Sequence, residues 1–424
     1  MDSAPIIATL IGLMAAVVYS SFVSAQIDPV TIGLRLMRPA PIEIGDRFGY
    51  SLVTSWGGHN APTGIIVGAP GARNDTGAVY VYGWDDGGWT LNRIFYGDAV
   101  GDEYGHAVAA GDVTFDGIDD IVIGAPGAGQ VHVFDGVTGK RIYRITWQDP
   151  VDDNNVRFGA SVSAGQFNGL AHFGYHADIA IGSDKGVFIV YGCHGDIQFC
   201  RGVVDRWLPR EADVMITDTG TDPIVSFVSD EDRPVDDLLV ADRDAGRVFY
   251  IEGRENETGT LRLSAPEDAR FTFTAIPPVS SIAGATVSER GPLLVAITSP
   301  THVSVFDPFG FGDESAIATL GYGAGDGPIT FQPWWRGGDL TGDGRSDVAT
   351  AKTGVVFVYS GWRIAHPDGQ QLEQVHHPVQ DANMGAFVSS LAAVPETGEL
   401  VVGMADAGRA TVYELPPKWT REER

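Results

Sequence analysis

The chain is short of cysteine, of basic residues and of long apolar runs, and each shortage removes a class of answer. Only 2 of its 424 residues are cysteine, and Cys193 and Cys200 with His194 are too few donors for a zinc site. Lys and Arg total 28 against 55 Asp and Glu, a formal net charge of −27. Binding of nucleic acid needs clustered Lys and Arg on phosphate, so this balance argues against a DNA or RNA partner. It describes a solvated, self-repelling surface that weakly favours divalent cations and basic partners. No window carries sustained helical periodicity of apolar residues, which argues against a helical fold. The sequence has no GxSxG, no HExxH and no phosphate loop, so the common signatures of hydrolases, metalloproteases and nucleotide enzymes are missing.

One apolar run is long. It spans Ile6 to Val18, and small residues follow, with Val23 and Ala25 placed for a cut before Gln26. Residues 1–25 read as a secretory signal peptide and predict a secreted product. No Lys or Arg precedes the run and Asp2 stands there instead, so an uncleaved N-terminal membrane anchor is the alternative. The C-terminal LPPKWTREER is polar and suggests no second anchor. Residues 26–424 are expected to form one domain. In an oxidising compartment Cys193 and Cys200, within YGCHGDIQFCRG, would staple a hairpin, with reduced thiols as the alternative. Sequons at Asn74 and Asn256 sit in polar turns.

Glycine, by contrast, is abundant, at 55 residues, mostly in short turn clusters. Two of these clusters are near copies: GDVTFDGIDDIVIG from Gly111 and GDLTGDGRSDVATA from Gly338. Counting the first aspartate as position 1, one offers Asp112, Thr114, Asp116 and Asp120 at positions 1, 3, 5 and 9, and the other Asp339, Thr341, Asp343 and Asp347. Alternate residues can turn oxygens inward around a hard ion, and glycine at position 6 permits the bend. Position 7, Ile118 or Arg345, would give only its carbonyl. Six or seven oxygens on a flexible loop suit Ca²⁺ better than Mg²⁺. Neither loop ends in the glutamate of an EF-hand, and strand-like runs rather than helices follow. An Asp-Gly turn whose carboxylates cap backbone amides is the simpler alternative.

The chain also repeats itself at intervals of about 55 residues. FGYSL at Phe48 matches YGHAV at Tyr104, FGASV at Phe158 and MGAFV at Met384. Runs such as GIIVGAPG, DIVIGAPG and ELVVGMADAG follow, and then AVYVYG, QVHVFDG or RATVYEL. Opening pairs at 48, 104, 158, 221, 277, 331 and 384 give seven copies. Each copy supplies three clear strands and a weaker outer one, so the expected fold is all-β: a seven-bladed β-propeller of four-stranded antiparallel blades. The last copy stops after its third strand, while Val30 to Pro39 precedes the first copy unassigned. This N-terminal strand should complete the last blade and close the ring, covering an exposed edge.

Phe-Gly, then D-x-T-x-D-G-x-x-D, then Gly-Ala-Pro resembles the FG-GAP repeat of the integrin α-subunit propeller head and of related secreted microbial proteins. The likeness covers about residues 30 to 415 and is complete in the second copy, at Tyr104-Gly105, Asp112 to Asp120 and Gly124-Ala125-Pro126. The first copy lacks the acids, and the sixth has Ala349-Thr350-Ala351 for Gly-Ala-Pro. The resemblance implies structural Ca²⁺ at Asp112, Thr114, Asp116, Ile118 and Asp120, and at Asp339, Thr341, Asp343, Arg345 and Asp347. The third copy keeps only Asp178, and the fourth, SDEDRPVDD, is acidic but out of register. His172 and His176 are four apart in AHFGYHAD without a helix to align them, a weak candidate for a metal pair. The resemblance implies a non-catalytic, adhesion-type module whose turns after the second strands (Gly71 to Gly77, Ser183 to Gly186, Ala241 to Gly246 and Thr298 to His302) meet an extracellular protein or glycan ligand. A lectin, or a hydrolase or lyase with its site in the central channel, is the alternative.

Overall fold

The computed structural model describes residues 35–37, 44–57, 64–85, 88–148, 156–169, 176–192, 204–229, 233, 235–254, 257–265, 268–288, 291–310, 316–320, 327–332, 338–352, 355–365, 377–380, 388–394 and 399–414. The chain divides into two units, residues 1–32 and 33–424, and the fold described is that of the second. Cys193, Cys200, His172, Asn256 and the N-terminal segment lie outside the described residues.

Seven sheets follow one another along the chain. Blade 1 takes Ser51–Ser55, Gly64–Ala69, Ala78–Asp85 and Gly88–Tyr96. Blade 4 takes Ile224–Val228, Asp237–Asp242, Arg247–Ile251 and Phe271–Thr274. In six blades every residue of the second strand is buried, because a blade is packed on both faces and its middle strand never meets water. That is why runs such as GIIVGA and DIVIGA are continuously apolar rather than alternating. Residues of opposite parity serve opposite neighbours. Ile65 and Val67 pack with Val401 and Val412 of blade 7, whereas Ile66 packs with Ile121 and Ile123 of blade 2. Seven apolar clusters result, each shared by two adjacent blades, and the series closes on itself. The fold is a seven-bladed β-propeller.

Ring closure follows the expected route. Arg35–Met37 pairs antiparallel with Arg409–Glu414, Leu36 opposite Thr411, as the outer strand of the blade built from Ser390–Ala393 and Glu399–Met404.

Blades 2 and 3 depart from the four-stranded antiparallel expectation. Val204–Leu208, on the connection within blade 3, runs parallel to Arg141–Trp147 as a fifth strand of blade 2. Gly259–Arg262, on the connection within blade 4, runs parallel to Val214–Thr217 as a fifth strand of blade 3. Each long connection returns to the preceding blade and covers an edge that would otherwise be open. The opening pairs of blades 6 and 7 are also displaced. Phe331 lies inside its strand, opposite Val348, and the blade 7 equivalent of Ser51 is Ser390, opposite Gly403 as Ser51 is opposite Gly68.

The aromatic-glycine pair has a steric basis. Phe48 is fully buried, edge-on to Tyr80 at 5.2 Å. Gly49 has φ +91°, and a Cβ there would stand 2.6 Å from Arg409 O of blade 7, so both backbone and space demand glycine. Serines then tie neighbours around the axis: Ser51 Oγ donates to Gly105 O at 2.9 Å and Ser390 Oγ to Gly49 O at 2.7 Å.

Candidate functional site

The two aspartate loops connect the first and second strands of blades 2 and 6, and they share one hydrogen-bond pattern. Asp112 accepts from the amides of Asp116 (3.0 Å) and Gly117 (2.8 Å), and Asp339 from those of Asp343 (2.9 Å) and Gly344 (2.8 Å). At position 9, Asp120 accepts from Thr114 N (2.8 Å) and Asp347 from Thr341 N (2.7 Å). The left-handed residues coincide as well, Gly117 with Gly344 and Phe115 with Gly342.

These loops crowd carboxylates in a partly dry place. Burial pushes Asp112 up to about 6 and Asp120 up to about 7, the latter raised further by Asp112 and Asp116. Asp347 is held well above the usual carboxylate range by burial and then by the charge of Asp343. Among the described residues no group of three or more His, Cys, Asp or Glu side chains is arranged to hold a metal; the carboxylates point at backbone amides. Yet Thr114 Oγ1 and Asp347 Oδ1 are buried without hydrogen-bond partners, while the Thr341 hydroxyl faces the Asp347 carboxylate. A buried oxygen left unpaired is costly. Hard oxygen donors, carboxylate repulsion and orphaned oxygens together fit a hard divalent cation.

Blades 3 and 4 resolve the same position differently. Asp178, raised to about 7 by burial, accepts from Phe167, Asn168 and Gly192 amides at 2.8, 3.0 and 3.0 Å. Asp237 begins the second strand of blade 4 as Asp120 does in blade 2, and with Asp237 at position 9 the acids of the fourth loop miss positions 1 and 5, as expected. Its position 5 is Arg233, whose Nη1 lies 2.7 Å from both Asp237 oxygens. Tyr250 OH also donates to Asp237.

Position 8 carries bonds to neighbouring blades that the ion-loop spacing does not mark. Asp119 accepts from Trp56 N of blade 1 (2.8 Å), Asp236 from Gln166 N of blade 3 (2.7 Å), and Ser346 donates to Thr286 O of blade 5 (2.6 Å). The signal was the recurrence of a polar residue immediately before the strand. His176 packs on Phe115 at 4.4 Å.

On the opposite face, where the turns after the second strands lie, a cavity of about 530 Å³ opens on the axis and takes residues from all seven blades. Tyr50, His106, Arg157, Asp222 and Arg243 line its charged half. Arg47, Glu103 and Arg157 occupy equivalent places before the aromatic-glycine pairs, all at positive φ (55°, 53° and 51°). Of the expected ligand turns, Gly71 to Gly77 also carries left-handed Arg73, Asn74 and Asp75, and Ala241 to Gly246 contributes Arg243.

Comparison with known proteins agrees with this geometry. The FG-GAP repeat family matches residues 104–134, the blade with both the aromatic-glycine pair and the full aspartate loop. Integrin alpha-PS5 of Drosophila melanogaster is 31% identical over 168 residues, 35% of this chain and 16% of that protein. Integrin alpha-PS3 of the same fly is 26% identical over 167 residues, covering 36% and 14%. Integrin alpha-4 of Xenopus laevis is 33% identical over 87 residues, covering 20% and 8%. The matched segments therefore span less than a fifth of the length of these relatives. The repeat match, the seven closed blades and the likeness to integrin α subunits together support an FG-GAP β-propeller.

Proposed function

We propose that this is a secreted, calcium-stabilised, non-catalytic propeller that binds an extracellular protein or glycan ligand, in the manner of an adhesion module. Asp112, Thr114, Asp116, Asp120 and the carbonyl of Ile118 would hold one Ca²⁺; Asp339, Thr341, Asp343, Asp347 and the carbonyl of Arg345 would hold the other. The observation that carries the reading is the pair of loops that share their amide contacts at positions 1 and 9 and hold buried oxygens without partners. When bound, each ion would supply positive charge that holds its carboxylates ionised and fixes the loop between two strands. The likeness to integrin α subunits supports an extracellular setting. Ligand would then meet the face opposite the loops, leaving the ions a scaffolding role. The test is a pair of thermal melts, in calcium and in chelator, with calorimetric titration of calcium. The expected result is uptake of two ions and a lower melting temperature in chelator. An unchanged melt with no calcium heat rejects the reading.

A further inference from the structure

The seven innermost strands each bring one residue to the axial mouth, and those residues follow a pattern. Blades 1, 3, 5 and 7 open their first strands with Ser51, Ser161, Ser281 and Ser390, and blades 2, 4 and 6 with Ala107, Ile224 and Ile329. All seven line the axial cavity. Each serine also meets the backbone of the next blade. Ser51 Oγ donates to Gly105 O at 2.9 Å and Ser390 Oγ to Gly49 O at 2.7 Å, so both keep lone pairs with which to accept. Ser161 Oγ accepts from Val225 N at 3.1 Å and Ser281 Oγ from Ile329 N at 3.3 Å. Among the described residues no acceptor takes the protons of these last two hydroxyls. The ring therefore offers both donors and acceptors, with apolar side chains between them.

The charges around this mouth cancel. Arg47, Arg157 and Arg243 stand against Asp75, Glu103 and Asp222 in contacts of 3.4 to 4.0 Å. His106 adds no charge, since burial first, then Arg157, Arg47 and Arg243, push it down to about 3. A mouth without net charge draws in neither anion nor cation, and the net charge of −27 on the whole chain repels anions further. Asp222 lines the cavity. Its carboxylate lies 3.4 Å from Arg243 Nη1 and 4.0 Å from Arg157 Nε, and among the described residues no well-aligned hydrogen bond reaches it. A carboxylate so placed can accept from a hydroxyl.

We propose that the axial mouth binds a neutral sugar residue, held by the serine ring and Asp222, with its C–H faces against Leu52 and Ile224. A pyranose carries hydroxyls around its whole edge, each both donor and acceptor, and apolar C–H groups on its faces. That distribution matches a ring of hydroxyls interrupted by aliphatic side chains. An extended peptide presents its polar groups along a line instead. The cavity volume, about 530 Å³, falls within the range of small-molecule sites. The proposal rests on the reading that ligand meets the face opposite the ion loops, and it names a glycan as that ligand.

The test is titration of the full chain, by calorimetry and by saturation-transfer NMR, with the methyl glycosides of glucose, galactose, mannose and N-acetylglucosamine, in calcium buffer and again in chelator. Tetrahydropyran-2-methanol, the same ring with a single hydroxyl, and glucuronate, its charged counterpart, are titrated beside them. Uptake of at least one methyl glycoside is expected, with weaker uptake of both counterparts. Ser281→Ala and Ser161→Ala should each weaken that glycoside about fivefold, and Asp222→Asn about tenfold or more. Arg262→Gln, on the outer parallel strand of blade 3, should bind as the parent does. Uptake of none of the four glycosides, equal uptake of tetrahydropyran-2-methanol, preference for glucuronate over glucose, or indifference to Asp222→Asn in a variant that melts like the parent overturns the proposal. A melt indifferent to chelator refutes the calcium reading alone, since sugar uptake is read independently in both buffers.

Discussion

The loops of blades 2 and 6 and the loop of blade 4 face one problem with opposite charges at one position. All three begin a buried strand with an aspartate: Asp120, Asp347 and Asp237. Position 5 is Asp116 and Asp343 in the first two, and Arg233 in the third. Two loops thus accumulate negative charge, while the third carries its own cation, held at 2.7 Å. A guanidinium on the chain is present at every ionic condition; a dissolved ion is present only when its concentration allows. The difference teaches that the strand-start aspartate belongs to the fold, and that the loop in front of it differs in whether it brings a cation of its own, which in the proposed reading a dissolved ion replaces in blades 2 and 6.

The most damaging way to break this comparison is Arg233→Ala. It strands Asp237 without its cation, and a buried charge left unpaired costs about 3 kcal/mol or more. Denaturant unfolding should register that loss equally in calcium and in chelator. Next comes chelation of the parent protein. Each ion at a hundredfold excess over its Kd stabilises by about 2.7 kcal/mol, so a pair of saturated sites should make the melting temperature calcium-dependent. Sharper still is Asp343→Arg, which imposes the blade 4 arrangement on blade 6. It should remove one equivalent of calcium uptake while keeping most of the stability of the calcium-bound parent, and leave the residual chelator sensitivity to blade 2. Loss of both equivalents would mean that the loops do not act separately.

The smallest effect concerns Asp178, whose loop has neither the other aspartates of the motif nor an arginine. Its folded pKa is raised to about 7 by burial from an unfolded value near 3.9. The folded state therefore binds the proton more tightly. This contribution to stability is full below about pH 4 and is lost as pH rises towards 7. Asp178→Asn should flatten that slope, measured as unfolding free energy against pH in chelator; an unaltered slope would assign it to other groups.

Much of this was legible because burial writes itself into sequence. A middle strand packed on both faces must be apolar throughout, and GIIVGA, DIVIGA and DLLVAD say so without a partner in view. The missing fourth strand of the last copy and the unassigned Val30 to Pro39 likewise pointed to each other, and Arg35–Met37 is the part of it that pairs. The parallel strands at Val204 and Gly259 were not legible, since VDRWL alternates like any strand and its partner is chosen by where a long connection leads. Phe331 and Met384 misled because an aromatic or Met-Gly resemblance is cheap where the true register, set by Ile329 opposite Thr350 and Ser390 opposite Gly403, has lost its glycine. Arg233 escaped notice because an ion-loop motif is searched for oxygens. The mouth escaped because Arg47, Glu103, Arg157, Asp222 and Arg243 are scattered along the sequence and meet only when the ring closes.

The closing strand has a mechanical consequence. Arg35 lies opposite Val412 and Met37 opposite Ala410, so the chain before Arg35 and the chain after Glu414 leave blade 7 from the same end of that pair. Tension between those two segments would peel the pair open rung by rung instead of shearing its rungs together. Blades 2 and 3, clamped by strands lent from their successors, offer no such easy seam. Pulled by its ends, this ring should unclasp at blade 7 under low force and surrender blades 2 to 4 last.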